Sequence, residues 1–245
     1  ELSLPKGCVK VTCLIETYPA IFQTDEIIYA LKDNIVALNC GKWNYLFSMI
    51  KCMGSEKIMD YRDELTMDKS FLKSYVNQIV NSSHKRGILA ISGMSAFIPT
   101  NDKEKNIDIL NKIIRNKEME INRGFDGTLV AHPDLINPLK ELFENRISYN
   151  QIDYLPNHEI DLDNFNNFES SMKVTEDELK KNINISLQYI SAWLSGNGVI
   201  KLNNLMEDLS RSELSLFQIK QWLKSRHLIE KNKDNDEDYD LEKDK

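Results

Sequence analysis

The sequence VKVTCLIET, residues 9–17, combines a predicted β-strand with a carboxylate at its end. Every second residue from Val9 to Ile15 is apolar, and β-branched side chains are frequent, as is typical of a strand. Open α/β sheets and α/β barrels place their chemistry at the carboxyl ends of strands. Glu16 is therefore a candidate functional residue, with an ordinary exposed glutamate at a strand-to-helix turn as the alternative interpretation.

Composition limits the classes of protein to which this chain can belong. Its 245 residues, 41% of them hydrophobic, suffice for one large domain or for a domain plus a smaller one. A formal net charge of -7, with no basic block before a mixed tail, predicts neither nucleic acid nor an anionic membrane as a partner. No apolar run approaches the roughly 18 residues that span a bilayer. The four cysteines are too irregularly spaced for a zinc site and predict reduced thiols in a cytoplasmic or peroxisomal protein.

A strand followed by a helix is predicted four times in the first 146 residues. The later strands are predicted at residues 35–39, 88–92 and 128–131. The helices are predicted at residues 25–31 with Thr24 as cap, at 45–50, from Thr66 and Asp68 to about Arg86, at 107–121 and at 136–144. Apolar strands alternating with helices predict an α/β fold with a parallel sheet. Four units are half of the eight in a TIM barrel, so the region is either a small open sheet or the second half of a barrel.

The last third of the chain has a different composition and predicts a second, helical unit. Residues 175–178 form a capping box before a helix, and Ser210 with Glu213 forms another. Residues 199–208 between these helices read as irregular, and Trp193 and Trp222 are expected in the core. We predict a partial barrel domain at 1–146, a surface linker at 147–172, a helical domain at 173–230 and an acidic, disordered tail at 231–245.

Two neighbouring strands of the predicted sheet are followed by residues that suit a hard cation. Glu16 follows the first strand and the loop 41–44 follows the second, so their side chains are expected to meet at one edge. A carboxylate beside an amide oxygen is a donor set for Mg²⁺, although polar residues with no metal remain the alternative. His84 and His132 have ordinary interpretations as a helix-end cation and a polar residue at the sheet edge. The sequence shows no Ser-His-Asp arrangement, phosphate loop or dinucleotide-binding glycine pattern.

Eight short motifs then occur in a fixed order along the chain. They are TCLIET (12–17), LNCGKWNY (38–45), HKRG (84–87), GMSAFIP (93–99), GFDGT (124–128), VAHP (130–133), AWLSGNG (192–198) and NLMED (204–208). With these motifs the chain resembles the C-terminal half of malate synthase of the A type, over residues 2 to about 226. The resemblance implies the C-terminal half of a TIM barrel followed by a mainly helical C-terminal domain.

The resemblance also implies a reaction, in which acetyl-CoA condenses with glyoxylate to give malate and CoA. It assigns Mg²⁺ to Glu16 and Asn44, and the base that removes a methyl proton from acetyl-CoA to Asp208 in the helical domain. It places glyoxylate on the backbone of the loop formed by Gly41, Lys42 and Trp43. Further candidates for contacts with acetyl-CoA are Met94, His132 and Pro133. A cytoplasmic or a peroxisomal, glyoxysomal location fits such an enzyme.

Three departures from the family pattern leave other functions open. The family has Asp where this chain has Asn44, which removes a negative charge from the metal site. The arginine that stabilises the enolate is expected before residue 1, in a missing N-terminal half, so we expect the chain alone to be inactive. From Ser210 onward the chain also departs from the small residues that usually follow the catalytic Asp. The alternatives are a truncated or degenerate paralogue without activity and a related malyl-CoA or citramalyl-CoA lyase.

Overall fold

Four parallel strands form the sheet of the first region, as the sequence predicts. The computed structural model describes residues 3–54, 59–156, 162–167 and 174–225. The strands are β1 (Val11–Ile15), β2 (Ile35–Cys40), β3 (Leu89–Ser92) and β4 (Gly127–Thr128), in the order β1-β2-β3-β4. The fourth strand is shorter than predicted, and residues 129–131 lie outside it. Among the described residues, β1 and β4 form the two edges of this sheet.

Helices connect the strands and pack on the sheet. They are α1 (Thr24–Ala30), α2 (Lys42–Met53), α3 (Ser70–Lys85), α4 (Lys103–Ile121), α5 (Ile136–Arg146) and α6 (Leu162–Asn166). The predicted apolar face of α3 is confirmed, because Phe71, Tyr75 and Ile79 are buried in the main core together with Ile15 and Leu38. The core thus lies between the sheet and its helices.

Four predicted helix starts were wrong. Helix α2 begins at Lys42, three residues before the predicted start. Thr24 lies inside α1 rather than capping it, and its buried hydroxyl binds the Ser82 hydroxyl at 2.8 Å. Helix α3 begins at Ser70, after an N-cap residue without a side-chain hydrogen bond, so neither Thr66 nor Asp68 caps it. Helix α4 begins four residues earlier than predicted, because the Asp102 carboxylate accepts hydrogen bonds from two backbone amides of its first turn.

The predicted linker at 147–172 contains ordered structure within its described part. Helix α6 packs on α3, and Phe165 is fully buried in the main core. The Gln151 side chain donates hydrogen bonds to the carbonyls of Ile121 and Phe125, at 2.9 and 2.8 Å. This segment therefore fastens the end of α4 to the start of β4. Residues 157–161 and 168–173, and the predicted tail at 231–245, lie outside the described residues.

His84 lies in the last turn of α3, as the interpretation of a helix-end cation expects, and it is also the buried partner of an ion pair. Its Nδ1 lies 2.6 Å from the Tyr154 carbonyl and its Nε2 lies 3.0 Å from Asp126 Oδ2. Because both ring nitrogens face acceptors, both carry protons and the imidazole is charged. Burial lowers the pKa of His84, but the hydrogen bonds and the charge of Asp126 outweigh it and raise the pKa above 6.5. The pair joins α3 to the residue before β4.

The stability of this region is expected to depend on pH through His84. Since the folded pKa is the higher one, the stabilisation is complete below the unfolded pKa and is lost as pH rises through the folded pKa. Replacing His84 by Gln should cost about 3 kcal/mol near pH 6 and less at pH 9, because the buried Asp126 carboxylate loses its counter-charge and keeps only the amides of Ala90 and Gln151. Urea unfolding from pH 5.5 to 9 measures this, with the more exposed His132→Gln as the matched control. A cost that is constant over this range would contradict the charged pair.

The last third forms two helices and a hairpin. Its elements are α7 (Glu176–Leu194), β5 (Ile200–Leu202), β6 (Leu205–Glu207) and α8 (Leu209–Ser225). The capping box before α7 is supported, since Thr175 Oγ1 accepts a hydrogen bond from the Glu178 amide. Trp222 is buried as expected, but the expectation for Trp193 was wrong because it is 58% exposed.

No helix in the described part of the chain is long and apolar enough to cross a membrane.

Candidate active site at the strand ends

A buried tyrosine holds the ends of β1 and β2 together. The Tyr75 hydroxyl donates to the Ile15 carbonyl and accepts a hydrogen bond from the Gly41 amide at 2.9 Å. Its ring stacks on Tyr45 with centroids 3.9 Å apart. Burial raises the pKa of Tyr75 well above its ordinary value, so the hydroxyl stays protonated and able to donate. Glu16, which follows β1, and Gly41, which follows β2, are thereby held in fixed positions relative to each other.

Glu16 and Asn44 meet at this edge of the sheet, as the order of the strands implies. Asn44, in the first turn of α2, donates from Nδ2 to Glu16 Oε2 at 2.8 Å. A Cβ atom at Gly41 would lie 2.6 Å from the same Glu16 oxygen, closer than real Cβ contacts come. Glycine is therefore needed at position 41 because the carboxylate rests against the loop backbone.

The pair fits Mg²⁺ with a reduced set of donors. The Glu16 carboxylate offers a charged oxygen, and Asn44 offers a neutral one only if its amide turns and gives up the hydrogen bond to Glu16. The part of the chain that the structure describes holds no group of three or more His, Cys, Asp or Glu side chains able to bind a metal. Mg²⁺ often binds through one or two carboxylates and takes its other ligands from substrate and water. The residues therefore fit the ion weakly.

The side chains of Lys42 and Trp43 are partly buried and contact each other. Lys42 Nζ donates to the Leu65 carbonyl at 3.0 Å and lies 4.2 Å from the centre of the Trp43 ring. Burial first, and then the charge of Arg211, lower the pKa of Lys42 to about 8. Because the Lys42 ammonium group already contacts the Leu65 carbonyl and the Trp43 ring, the backbone of the loop is better suited than these side chains to bind a small anion.

A hairpin brings the second region to the sheet edge, where the sequence suggested an irregular stretch. Strands β5 and β6 are antiparallel and are joined by Asn203 and Asn204, both with positive φ, of 51° and 59°. Two asparagines between apolar residues are a turn signal that could have predicted this hairpin. The Met206 amide donates to the Ala96 carbonyl at 2.8 Å, and the Ile98 amide donates to Asn204 at 2.9 Å. The hairpin therefore pairs with the loop that follows β3.

Asp208 follows the hairpin and caps α8. Its Oδ1 accepts hydrogen bonds from the Arg211 amide at 3.0 Å and from the Ser210 hydroxyl at 2.8 Å. The predicted capping box of Ser210 and Glu213 was wrong, since Ser210 donates to Asp208 and Glu213 pairs with Lys51 at 3.0 Å. The carboxylate thus lies where the hairpin leaves the sheet edge, at the N-terminus of the helix.

Glu207 lies in a buried cluster of charges that the sequence did not reveal. Arg62 donates from Nη2 to both oxygens of Glu207, at 2.8 and 2.7 Å, and Arg211 donates to them at 3.2 and 3.1 Å. Burial, and then the charge of Arg211, lower the pKa of Arg62. The spacing of Glu207 and Arg211 is a helix-type signal, but Arg62 is 145 residues away in sequence. A carboxylate held by two arginines is unsuited to act as a base.

The residues expected to contact acetyl-CoA lie on loops at the same edge. Met94 follows β3 and is 41% exposed, and His132 and Pro133 follow β4. His132 Nδ1 accepts a hydrogen bond from the Asp134 amide at 3.3 Å, which caps the short turn that Pro133 begins. Parallel strands end at one edge of the sheet, so these loops lie at the same edge as Glu16 and Gly41, although β4 is not adjacent to β1 or β2.

Parallel strands in sequential order, with polar residues at their carboxyl ends, place the first region in the α/β class and match half of an α/β barrel. The malate synthase TIM-barrel domain model matches residues 1–167, and the malate synthase C-terminal domain model matches residues 173–242. The chain therefore belongs to the malate synthase family.

Curated relatives agree with this assignment. The chain is 39% identical to malate synthase A of Escherichia coli, over 95% of this chain and 45% of that protein. It is 39% identical to the glyoxysomal malate synthase of Candida tropicalis, over 91% of this chain and 42% of that one. A Haloferax volcanii malate synthase in a lead(II) complex superposes with a TM-score of 0.49 at 13% identity, over 91% of this chain and 54% of that one. The chain spans less than half the length of these curated relatives.

Proposed function

We propose that this chain is the C-terminal portion of a malate synthase, which condenses acetyl-CoA with glyoxylate to give malate and CoA. The observation that carries the proposal is the arrangement at the sheet edge. Glu16, Gly41 and Asn44 meet where two strands end, and the hairpin that leads to Asp208 pairs with the loop after the next strand. A carbon–carbon bond-forming site needs both a base and a place for the electrophile, and this edge supplies candidates for each.

Asp208 is the proposed base. A thioester methyl group is a weak acid, so its deprotonation needs a positioned carboxylate and stabilisation of the enolate. The two hydrogen bonds described for Asp208 both reach Oδ1 and fix the orientation of the side chain. The proton moves from the methyl carbon to the carboxylate, and the enolate carbon attacks the glyoxylate aldehyde, whose oxygen takes up a proton to become the hydroxyl group. Water then cleaves the thioester to release malate and CoA.

The loop of Gly41, Lys42 and Trp43 is the proposed glyoxylate site. Backbone amides at the start of a helix suit an anion, and α2 begins at Lys42. Mg²⁺ bound through Glu16 and Asn44 would polarise the aldehyde as a Lewis acid. Gly41 keeps the Glu16 carboxylate against the loop, so the electrophile and its activating group are held together. Met94, His132 and Pro133 lie on the loops that acetyl-CoA would approach.

The enolate-stabilising arginine is proposed to come from the N-terminal portion of the protein. None of the arginines in the described part of the chain ends a strand of the four-stranded sheet. A cytoplasmic or glyoxysomal location is proposed from the family, of which the Candida tropicalis relative is named as glyoxysomal.

The test of this function is complementation. Co-expression of this chain with the N-terminal portion of a malate synthase should restore release of CoA from acetyl-CoA that depends on glyoxylate, followed with a thiol reagent. The chain alone should be at least about 10²-fold slower, because loss of one preorganised donor costs this much. Equal rates with and without the N-terminal portion would refute the proposed division of the site.

Replacing Asn44 by Asp is expected to tighten Mg²⁺ binding. The change removes the hydrogen-bond donor to Glu16 and gives the ion a second anionic ligand. Calorimetric titration of the complemented protein with Mg²⁺ should show an affinity higher by about tenfold, since a hard cation prefers charged oxygen ligands. Glu16→Gln is the matched variant in the opposite direction and should abolish binding. An unchanged or weaker affinity in Asn44→Asp would show that residue 44 does not face the metal.

A degenerate paralogue without activity is the second candidate, and the hydrogen bond between Asn44 and Glu16 favours it. An amide that satisfies the carboxylate makes a metal unnecessary for the local structure. The complementation assay separates the candidates, since a degenerate protein forms no malate at any concentration of Mg²⁺. Activity that appears only in Asn44→Asp would identify this one substitution as the cause.

A further inference from the structure

Arg211 shares the buried carboxylate of Glu207 with another arginine and also lies against an aromatic ring. Its guanidinium carbon is 4.3 Å from the centre of the Trp43 ring. The Arg211 side chain is only 4% exposed. Arg62 already donates to both Glu207 oxygens, so one carboxylate serves two cations. The electron-rich face of Trp43 supplies the additional attraction that a second buried cation requires.

This contact joins the two parts of the proposed site. Arg211 lies in the first turn of α8, three residues after Asp208, and Trp43 lies in the first turn of α2, two residues after Gly41. Lys42 also approaches the ring, but it belongs to the same turn as Trp43 and cannot link the two helices. Leu214 and Phe217 of α8 also pack on the main core beside α2, but they lie further along the helix from Asp208. The other polar link, between Lys51 and Glu213, is largely exposed and contributes little.

We propose that Arg211 is a positioning residue whose guanidinium clamps Trp43 and thereby sets the separation between Asp208 and the loop 41–44. The inference rests on the proposed function for the roles of Asp208 and the loop, whereas the clamp itself is a property of the fold. Arginine suits this place because its planar group donates two hydrogen bonds to a carboxylate while it stacks flat on a ring. Lysine can keep the charge but not both contacts, and a small residue can make neither.

The clamp can be tested without catalysis. The chain contains three tryptophans, so 5-fluorotryptophan labelling gives three fluorine NMR signals, assigned with Trp43→Phe and Trp193→Phe. Arg211→Met should shift the Trp43 signal and accelerate amide exchange in residues 42–47 by about tenfold, while the Trp222 signal stays in place. Arg211→Lys should give an intermediate shift. Lys51→Met, which removes an exposed cation 5.1 Å from the Phe47 ring of the same helix, should leave the Trp43 signal unchanged.

The positioning role needs a kinetic measurement in the complemented enzyme. Arg211→Met should lower kcat by about 10²-fold, because small displacements of reacting groups have effects of this size. The KM for acetyl-CoA should change less than kcat, and Arg211→Lys should recover part of the rate. An unmoved Trp43 signal overturns the clamp, and a moved signal with unchanged kcat overturns the positioning role. If the unsubstituted complemented enzyme makes no malate, the proposed function fails while the NMR and exchange results still decide the clamp.

Discussion

Replacement of Asp208 by Asn is expected to slow exchange of the acetyl-CoA methyl protons by about 10²–10⁴-fold in the complemented enzyme, the range typical for loss of a general base. Asparagine matches aspartate in shape and is an equally good helix cap, so α8 should remain folded. The two hydrogen bonds to Oδ1 can both be kept, because an amide oxygen accepts them as a carboxylate oxygen does. The substitution therefore removes basicity while it preserves structure. Incorporation of deuterium from solvent into acetyl-CoA, followed by mass spectrometry, reports the step directly.

Matched variants separate the chemistry of Asp208 from its structural role. Asp208→Ala should lose the exchange and also about 1 kcal/mol of stability, because it removes the cap. Ser210→Ala deletes one donor to Asp208 and should leave most of the exchange intact. Exchange near the original rate in Asp208→Asn would place the base elsewhere. Glu207 is a poor successor, because both of its oxygens accept hydrogen bonds from two arginines.

Replacement of Glu207 by Gln is expected to destabilise the protein by about 3–5 kcal/mol, the usual cost of removing one partner from a buried group of charges. Arg62 and Arg211 would then face each other without a counter-charge in a site that excludes water. Because Arg62 belongs to the first region and Glu207 ends the hairpin of the second, the loss should loosen the contact between the regions. The free energy of unfolding from urea titration at pH 7 measures the effect.

Glu213→Gln provides the control for this prediction. Glu213 also pairs with a cation across the two regions, but the Lys51 side chain is 59% exposed, so the loss should remain below about 1 kcal/mol. The triple variant Glu207→Met, Arg62→Met and Arg211→Leu removes all three charges of this cluster and should recover much of the stability. Equal costs for Glu207→Gln and Glu213→Gln would mean that the buried cluster does not hold the regions together.

Local sequence patterns explain why the sequence and the structure agree on the strands of the first region. Alternation in residues 9–15 and helical spacing in α3 are local patterns, and local patterns decide which segments become strands and helices. The parallel order of the strands followed from their alternation with helices. Because parallel strands end at one edge, the approach of Asn44 to Glu16 could be anticipated, although the hydrogen bond between their side chains could not.

The second region shows the limits of the sequence pattern. Trp193 has the spacing of a core residue, yet among the described residues it is exposed, since spacing identifies a face and not what covers it. Ser210 has the spacing of a cap, but Asp208 occupies the position where the chain leaves the strand, and its carboxylate is the stronger acceptor. Competition between neighbouring cap residues depends on backbone geometry that the sequence does not contain.

The sequence by itself determined the order of the four parallel strands and their helices in residues 1–146, the family and the identity of the candidate site residues. Only the tertiary structure revealed the ion pair of His84 with Asp126 and the cluster of Arg62, Glu207 and Arg211. The physical reason is distance along the chain. Helix and strand periodicity relate residues a few positions apart, whereas buried charges find partners 42 and 145 residues away after the backbone has folded.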